Sequence, residues 1–244
     1  MVSKRFTMRP VRGQTNPFWA VSEPVLGIAL LAVIFSAIFN APPLGNSFVL
    51  FYASGLLPLA VFTDLTAKAA PVLKQNRAAL RDPAGSMTGI VLTRMVQGLV
   101  VQLGAAALVI AVLVALAGDG PVDFVPVVQA YAALSVLAVG VGAMNALLAH
   151  RIGRWPRIWA VLMRPLFVLT GVFFVIDDVP DPYRDWLAWN PLAHVVSLMR
   201  DGLYSYYVPA FADPVFVVLT GLAALFAGTL GLAVLDRGVP DAAG

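Results

Sequence analysis

The sequence predicts an all-α, polytopic membrane protein with six transmembrane helices, and three observations lead to this fold class. Of the 244 residues, 60% are hydrophobic and only 12% are charged, whereas about 25% of the residues in a soluble domain are charged. The mean hydropathy is +0.85. Several apolar runs approach the roughly 20 residues that cross a bilayer as a helix. This composition excludes a soluble enzyme, a soluble nucleic-acid-binding protein and a disordered chain.

The predicted spans follow one another along almost the whole chain. We assign them to residues 18–39, 48–63, 95–117, 124–148, 158–176 and 214–235. The second span can continue as a helix past Asp64, and the fifth contains Arg164. The first apolar run starts too late and is too long for a cleaved signal peptide. The chain therefore divides into a basic N-terminal segment (1–17), a six-span region (18–235) and a short tail (236–244).

The charged residues predict the orientation of these spans. Lys and Arg concentrate in the N-terminal segment and in the connections at 64–94 and 151–157, whereas Asp residues concentrate in the other connections. Loops rich in Lys and Arg stay on the cytoplasmic side of a membrane. We therefore expect both termini to be cytoplasmic, which agrees with an even number of spans.

Residues 71–82, in the long cytoplasmic connection, form a basic segment. Pro71 suits the first turn of a helix, and Pro83 disfavours helix at the residue before it. The sequence thus predicts a helix of about three turns that carries Lys74, Arg77 and Arg81 on one face. Two interpretations remain open: an anchor that touches lipid headgroups, or a basic stripe presented to a cytoplasmic partner.

The external connection, residues 177–212, is long and has a helical pattern of its own. Asn190-Pro191 is typical of a turn followed by a helix start. Apolar residues then fall on one face, at Leu192, Val195, Val196, Met199 and Leu203, while His194, Arg200 and Asp201 fall elsewhere. We predict two short re-entrant helices within residues 183–204, broken at Asn190-Pro191. The alternative is an interfacial belt of Tyr183, Trp186 and Trp189 followed by a helix in the membrane plane.

Ionisable residues within the spans are Glu23, Asp64 and Arg164. Each costs roughly 2.5–3.5 kcal/mol at mid-membrane, so we expect them to face the bundle interior, as structural pairs or as pathway contacts. Small residues in spans four and six allow close helix approach, either within one chain or between copies; they are Gly140, Gly142, Ala224 and Gly228. The sequence has two histidines, no cysteine and no phosphate-binding loop. It therefore predicts no catalytic residue, metal site or cofactor.

The external connection also carries a family resemblance. Phe173, Phe174, Pro180, the Trp189-Asn190-Pro191 step, His194, Arg200, Gly202 and Tyr204 resemble the C-terminal signature of type-2 ABC exporter permeases for capsule and O-antigen polysaccharides. Residues 18–24, 41–45 and 74–78 resemble the entry to span one, the first external turn and the cytoplasmic coupling segment of that family. The sequence departs from it in a short N-terminal segment interrupted by Pro10 and Gly13, and at 81–85.

The resemblance implies a half-permease in the bacterial inner membrane that exports a lipid-linked polysaccharide. Its implied partners are a second copy of itself, two ATP-binding cassette ATPase subunits and, as further candidates, periplasmic and outer-membrane export proteins. The expected ATPase-coupling residues are Lys74, Gln75, Asn76, Arg77 and Arg81. The expected residues of the translocation path or its gate are Glu23, Arg164, Tyr183, Trp186, Trp189, His194, Arg200 and Tyr204.

Two other classes of function stay open from the residues alone. A secondary transporter would use Asp64 and Arg164 to couple an ion or solute. An integral membrane enzyme acting on lipid-linked sugars would need a cluster of carboxylates or histidines, which the sequence does not show.

Overall fold

The computed structural model describes residues 17–80, 85–117 and 120–237, and the described residues are helical or lie in turns and loops, with no strand among them. The predictions for the N-terminal segment before Pro17, for Arg81 and for the tail beyond Arg237 lie outside these residues. The fold class is confirmed as all-α.

The described part of the chain contains ten α-helices and one short 3-10 turn. In chain order they are α1 (Pro17–Ile38), α2 (Phe48–Ala69), α3 (Val72–Gln75), α4 (Arg77–Leu80), α5 (Met87–Ala117), α6 (Phe124–Arg151), α7 (Trp155–Leu169), the 3-10 turn (Ile176–Asp178), α8 (Tyr183–Leu187), α9 (Pro191–Leu203) and α10 (Pro214–Arg237).

Five of these helices are long and apolar enough to cross a membrane: α1, α2, α5, α6 and α10. The chain is therefore a multi-pass membrane protein. As predicted, α2 continues past Asp64 and ends at Ala69. The start of α5 was placed too late, because the helix begins at Met87 rather than Met95. The N–H of Met87, the first of this helix, donates a hydrogen bond at 3.0 Å to the carboxylate of Asp236, which lies in the last turn of α10.

The fifth predicted span, 158–176, differs from the prediction. It folds as α7, which has only 15 residues and is about 22 Å long, short of the roughly 30 Å of hydrocarbon in a bilayer. The helix ends at Leu169 and Thr170 is its C-cap. Gly171 follows with a φ of 76°, a left-handed conformation that glycine adopts without strain. Residues 172–175 then continue without helical structure.

Hydrogen bonds between distant residues show which helix ends lie together. At one end, which we call the basic end, Ser86 and Met87 contact Asp236. At the opposite, acidic end, the N–H of Asp123 donates to the carbonyl of Gly202 at 2.9 Å. Since α6 and α10 both start at the acidic end and both finish at the basic end, the chain must return between them. It does so through α7 and the non-helical residues that follow it.

Helices α6 and α10 run parallel along a seam of small residues. A Cβ atom on Gly140 would lie 2.1 Å from the carbonyl oxygen of Gly221, and one on Gly221 would lie 2.7 Å from the Cα of Leu137. A Cβ on Gly228 would lie 2.7 Å from the backbone nitrogen of Met144. The small residues of the fourth and sixth spans therefore serve close packing within one chain.

This seam gives a first testable prediction. Gly140→Ala should lower the thermal unfolding midpoint of the detergent-purified protein by several degrees, since over-packing typically costs about 1–3 kcal/mol. Gly104→Ala is the matched control, because no atom lies within 4 Å of a Cβ at that position, and its midpoint should stay level or rise. An unchanged midpoint for Gly140→Ala would contradict the close packing of α6 and α10.

Candidate functional site

Helix α9 lies inside the bundle, packed against α2, α6 and α10. It starts at Pro191, after Asn190, whose side-chain oxygen accepts a hydrogen bond from the N–H of Leu192. The break at Asn190-Pro191 and the short helices on either side of it are confirmed. All five residues of the predicted apolar face are at most 4% exposed, as predicted. However, His194 and Arg200 are buried as well, so protein encloses α9 on nearly every side.

Arg200 is fully buried, at 0% exposure. Its guanidinium donates hydrogen bonds to the carbonyl of Phe174 at 2.8 Å and to the carbonyl of Val172 at 3.3 Å. It also donates to the hydroxyl of Ser54 on α2 at 3.3 Å and lies 4.3 Å from the centre of the Phe51 ring. A buried charge needs such partners. These contacts tie the non-helical residues after α7 to both α2 and α9.

His194 joins three elements at the acidic end. Its Nδ1 accepts a hydrogen bond from the N–H of Asp213 at 2.9 Å, and its Nε2 lies 2.6 Å from the carbonyl of Ala188. These partners require the neutral tautomer with hydrogen on Nε2, because Nδ1 acts as the acceptor. The ring also packs against Phe211 and Phe216. His194 therefore positions the end of α8, α9 and the start of α10 relative to one another.

The loop between α9 and α10 is fastened to residues that precede α8. The hydroxyl of Tyr207 donates a hydrogen bond to Asp177, and the other oxygen of this carboxylate accepts from the N–H of Ala210 at 3.1 Å. Burial, together with the hydrogen bond to Asp177 and the negative charge of that carboxylate, raises the pKa of Tyr207 above its usual value. The hydroxyl of Tyr206 accepts from the N–H of Gly45, in the connection between α1 and α2, at 2.6 Å.

Aromatic side chains of α8 and the following turn face outward. Tyr183, Trp186 and Trp189 are 57%, 68% and 78% exposed, and the first two rings meet edge to face at 5.6 Å. Tyr204, by contrast, is buried at 1% exposure. The predicted path or gate residues of this region thus fall into two groups: the exposed rings at the acidic end, and the buried side chains of His194, Arg200 and Tyr204 that hold α9 in place.

A cavity of about 650 Å³ lies between α1, α2, α5 and α7. Its lining is mostly apolar and includes Trp19, Leu56 and Phe167. Five polar side chains also line it; these are Glu23, Thr63, Asp64, Lys68 and Gln102. Cavities with apolar walls and a few convergent polar groups are typical binding sites.

The polar groups of the cavity are partly joined to one another. Asp64 forms an ion pair with Lys68, one helical turn further along α2, and accepts a hydrogen bond from the side chain of Gln102 on α5. Sequence reasoning found Glu23 and Asp64 but missed Gln102, although a buried amide within the apolar α5 could have indicated it. Arg164 is exposed on α7 and does not line this cavity, so the structure does not bring Asp64 and Arg164 together.

The basic segment at the other end of the bundle is not the single three-turn helix that we predicted. It forms two one-turn helices, α3 and α4, separated at Asn76. The amide of Asn76 donates to the carbonyl of Val72 at 2.7 Å and accepts from Arg94 at 3.1 Å. Side chains of Asn compete with the backbone for hydrogen bonds in this way and so interrupt helices.

The break changes which residues of the basic segment face outward together. Val72 and Leu73 are buried and anchor α3, whereas Lys74, Gln75 and Arg77 are exposed. Asn76 is half-buried and positions the two turns. Lys74 and Arg77 therefore lie on two separate one-turn helices and do not share one continuous helix, but an exposed polar surface at the basic end remains.

Comparison with known proteins identifies the family. Residues 1–204 match the model of the ABC-2 type transporter family, and the chain belongs to this family. It is 24% identical to the polysialic acid transport protein KpsM of Escherichia coli, over 91% of this chain and 88% of that protein.

Two further relatives cover similar lengths. The chain is 20% identical to the capsule polysaccharide export inner-membrane protein CtrC of Neisseria meningitidis serogroup B, over 98% of this chain and 91% of that protein. It is 22% identical to the capsule polysaccharide export inner-membrane protein BexB of Haemophilus influenzae, over 91% of this chain and 84% of that protein. The likeness spans nearly the whole of each chain.

The contacts of Arg200 give the second prediction. Arg200→Met removes the donors from two buried carbonyls, and each carbonyl left without a partner costs about 1–3 kcal/mol. The thermal midpoint of the purified protein should fall by about 5–15 °C. Arg200→Lys should recover part of this loss, because lysine keeps a charged donor. The recovery should be incomplete, because one ammonium group cannot reproduce the planar set of N–H donors of a guanidinium. Arg184→Met, which removes an exposed ion pair with Asp181, should leave the midpoint nearly unchanged. Equal midpoints for Arg200→Met and Arg184→Met would refute the structural role of Arg200.

The Tyr207–Asp177 contact gives the third prediction, on pH. The pKa of Tyr207 is raised in the folded protein, whereas that of an unfolded tyrosine is about 10. The stabilisation is therefore complete below about pH 10 and is lost as the pH rises through the folded value. Between about pH 10 and pH 12, the unfolding midpoint should therefore fall more steeply in the unaltered protein than in Tyr207→Phe. Parallel pH profiles of the unfolding midpoint for the two proteins would show that the pKa of Tyr207 is the same in the folded and the unfolded protein, and would contradict the prediction.

Proposed function

We propose that this chain is the transmembrane half-permease of an ATP-driven exporter that moves a lipid-linked capsular or related polysaccharide across the bacterial inner membrane. The observation that carries this proposal is its membership of the ABC-2 type transporter family together with the extent of the match. Relatives named for transport of polysialic acid or export of capsule polysaccharide align over nearly the whole chain.

The proposed assembly contains two copies of this chain and two separate ATP-binding cassette subunits. The sequence contains no phosphate-binding loop of its own, so ATP hydrolysis belongs to a partner in this proposal. Helices pack about 8–10 Å apart and fill a small bundle, which favours a polymer path between two chains over one through a single chain. A two-fold dimer is the commonest symmetric arrangement.

The positive-inside rule favours a cytoplasmic location for the basic end and hence for both termini. In this orientation α3 and α4 face the ATPase subunits. Val72 and Leu73 anchor α3 in the bundle while Lys74, Gln75 and Arg77 point outward, which suits a segment that transmits movement from a partner. Asn76 fixes the geometry of the two turns.

The acidic end then faces the periplasm. Tyr183, Trp186 and Trp189 are exposed there, and flat aromatic faces on this surface suit the exit of a polysaccharide or a contact with periplasmic and outer-membrane export proteins. His194, Arg200 and Tyr204 act on the path indirectly in this proposal, by holding α8 and α9 in place. Glu23 and Arg164 lie on the helices that would border the path.

The fourth prediction tests the coupling surface. Reversing both charges with Lys74→Glu and Arg77→Glu should abolish surface display of the polysaccharide and reduce co-purification of the ATPase, because the contact would become repulsive. The assay is complementation of a strain that lacks the permease, with membrane insertion checked by immunoblot. Arg154→Glu with Arg157→Glu is the matched control, since both arginines are exposed outside α3 and α4, and it should retain export.

Two results would oppose the proposal. Normal export from the Lys74 and Arg77 double variant would reduce this surface to a lipid anchor. Export that continues without any ATPase subunit and stops when the proton gradient is dissipated would indicate a secondary transporter instead.

A further inference from the structure

Two charged side chains, on α1 and α7, remain exposed in the single chain. Glu23 on α1 and Arg164 on α7 are both exposed, and neither forms an ion pair with another described residue. None of the side chains of α7 is buried. Charged side chains within a membrane face a protein partner or a water-filled space rather than lipid. The single chain therefore leaves these two helices incompletely covered.

The two charges lie at similar depth. A Cβ on Gly27 would lie 3.8 Å from Leu56, so Gly27 is level with the middle of α2, and Glu23 lies one helical turn, about 6 Å, closer to the basic end. Met163, the neighbour of Arg164, lines the same cavity as Glu23 together with Leu59 and Ala60. Glu23 is the seventh residue of α1 and Arg164 the tenth residue of α7. Both helices start at the basic end, so the two charges differ in depth by roughly 5 Å, about one helical turn.

The charges of the cavity are unbalanced in one chain. Its lining holds two carboxylates, Glu23 and Asp64, but one cation, Lys68, and Lys68 is paired with Asp64. The carboxylate of Glu23 lacks a matching cation among the described lining residues. Arg164 sits on a helix that borders the cavity, yet its side chain is outside the lining.

We propose that Glu23 of one copy pairs with the partner subunit's Arg164, and that this pair closes the cavity between α1, α2, α5 and α7. The inference rests on the proposed function, because it requires the two-copy permease. A two-fold axis along the membrane normal keeps every residue at its own depth, so only groups at similar depth meet across it. The pair forms twice in such a dimer, as in any isologous interface, and each arginine supplies the missing positive charge to the neighbouring cavity.

The first experiment is disulfide cross-linking between differently tagged chains in native membranes, with the ATPase co-expressed. The chain has no cysteine, so the Glu23→Cys variant and the Arg164→Cys variant each carry one. On mild oxidation, a disulfide-linked dimer that carries both tags is expected. The matched control combines Glu23→Cys with Phe226→Cys, because Phe226 is 69% exposed on α10, a helix packed mainly against α6 and α9. This control should yield no such dimer.

The second experiment is charge exchange, read as polysaccharide export. Glu23→Arg and Arg164→Glu should each reduce export by about tenfold or more, and the double variant should recover most of it, as for a directly coupled pair. A dimer that cross-links equally well with the control position, or a double variant no better than either single variant, would overturn the proposal. Cross-linking does not depend on any polysaccharide. A positive cross-link without export activity would therefore reject the proposed substrate while supporting the pair.

Discussion

The guanidinium of Arg200 is the contact on which the acidic half of the molecule depends. Residues 172–175 leave the helix and so expose backbone carbonyls inside the bundle, where water is absent. A buried carbonyl without a hydrogen-bond donor raises the free energy of the folded state. Arg200 donates hydrogen bonds to two of these carbonyls. The charge itself is held by these carbonyls, the hydroxyl of Ser54 and the face of the Phe51 ring. Removal of this one side chain would leave both carbonyls without these donors, and it would remove a contact that joins α9 to α2 and to the residues after α7.

This arrangement explains why α7 is short. In a continuous helix over 158–176 the carbonyl of Val172 would accept an intrahelical hydrogen bond, and only the carbonyls of the last turn would stay free. Arg200 would then lack the pair of acceptors that it has here. Ending the helix at Leu169, with Gly171 in the left-handed region, turns the chain so that the carbonyls of Val172 and Phe174 point at the guanidinium. The hydrogen bond from the side chain of Asn190 to the carbonyl of Leu169, at 3.2 Å, covers the end of the helix as well. The end of α7 and the residues after it are therefore held by polar contacts from Asn190 and Arg200.

The sequence alone predicted the fold class, most helix positions and the break at Asn190-Pro191, because these depend on local composition and on turn chemistry. It predicted the apolar face of α9 from helical spacing. It did not predict that His194 and Arg200 are buried, because their partners are backbone groups of residues far along the chain, which leave no periodic signal. The interruption at Asn76 was missed for a similar reason: it depends on a contact with Arg94 that only the folded chain provides. Gln102 was missed because its partner, Asp64, lies on another helix.

The glycine seam between α6 and α10 has a mechanical consequence. Backbone atoms of the two helices are so close that neither helix can slide or rotate against the other without steric overlap. The two helices therefore form one rigid unit, and α9 packs against it. In contrast, α7 buries none of its side chains and α1 buries few. Movement within one chain is therefore expected at α1 and α7 rather than between α6 and α10.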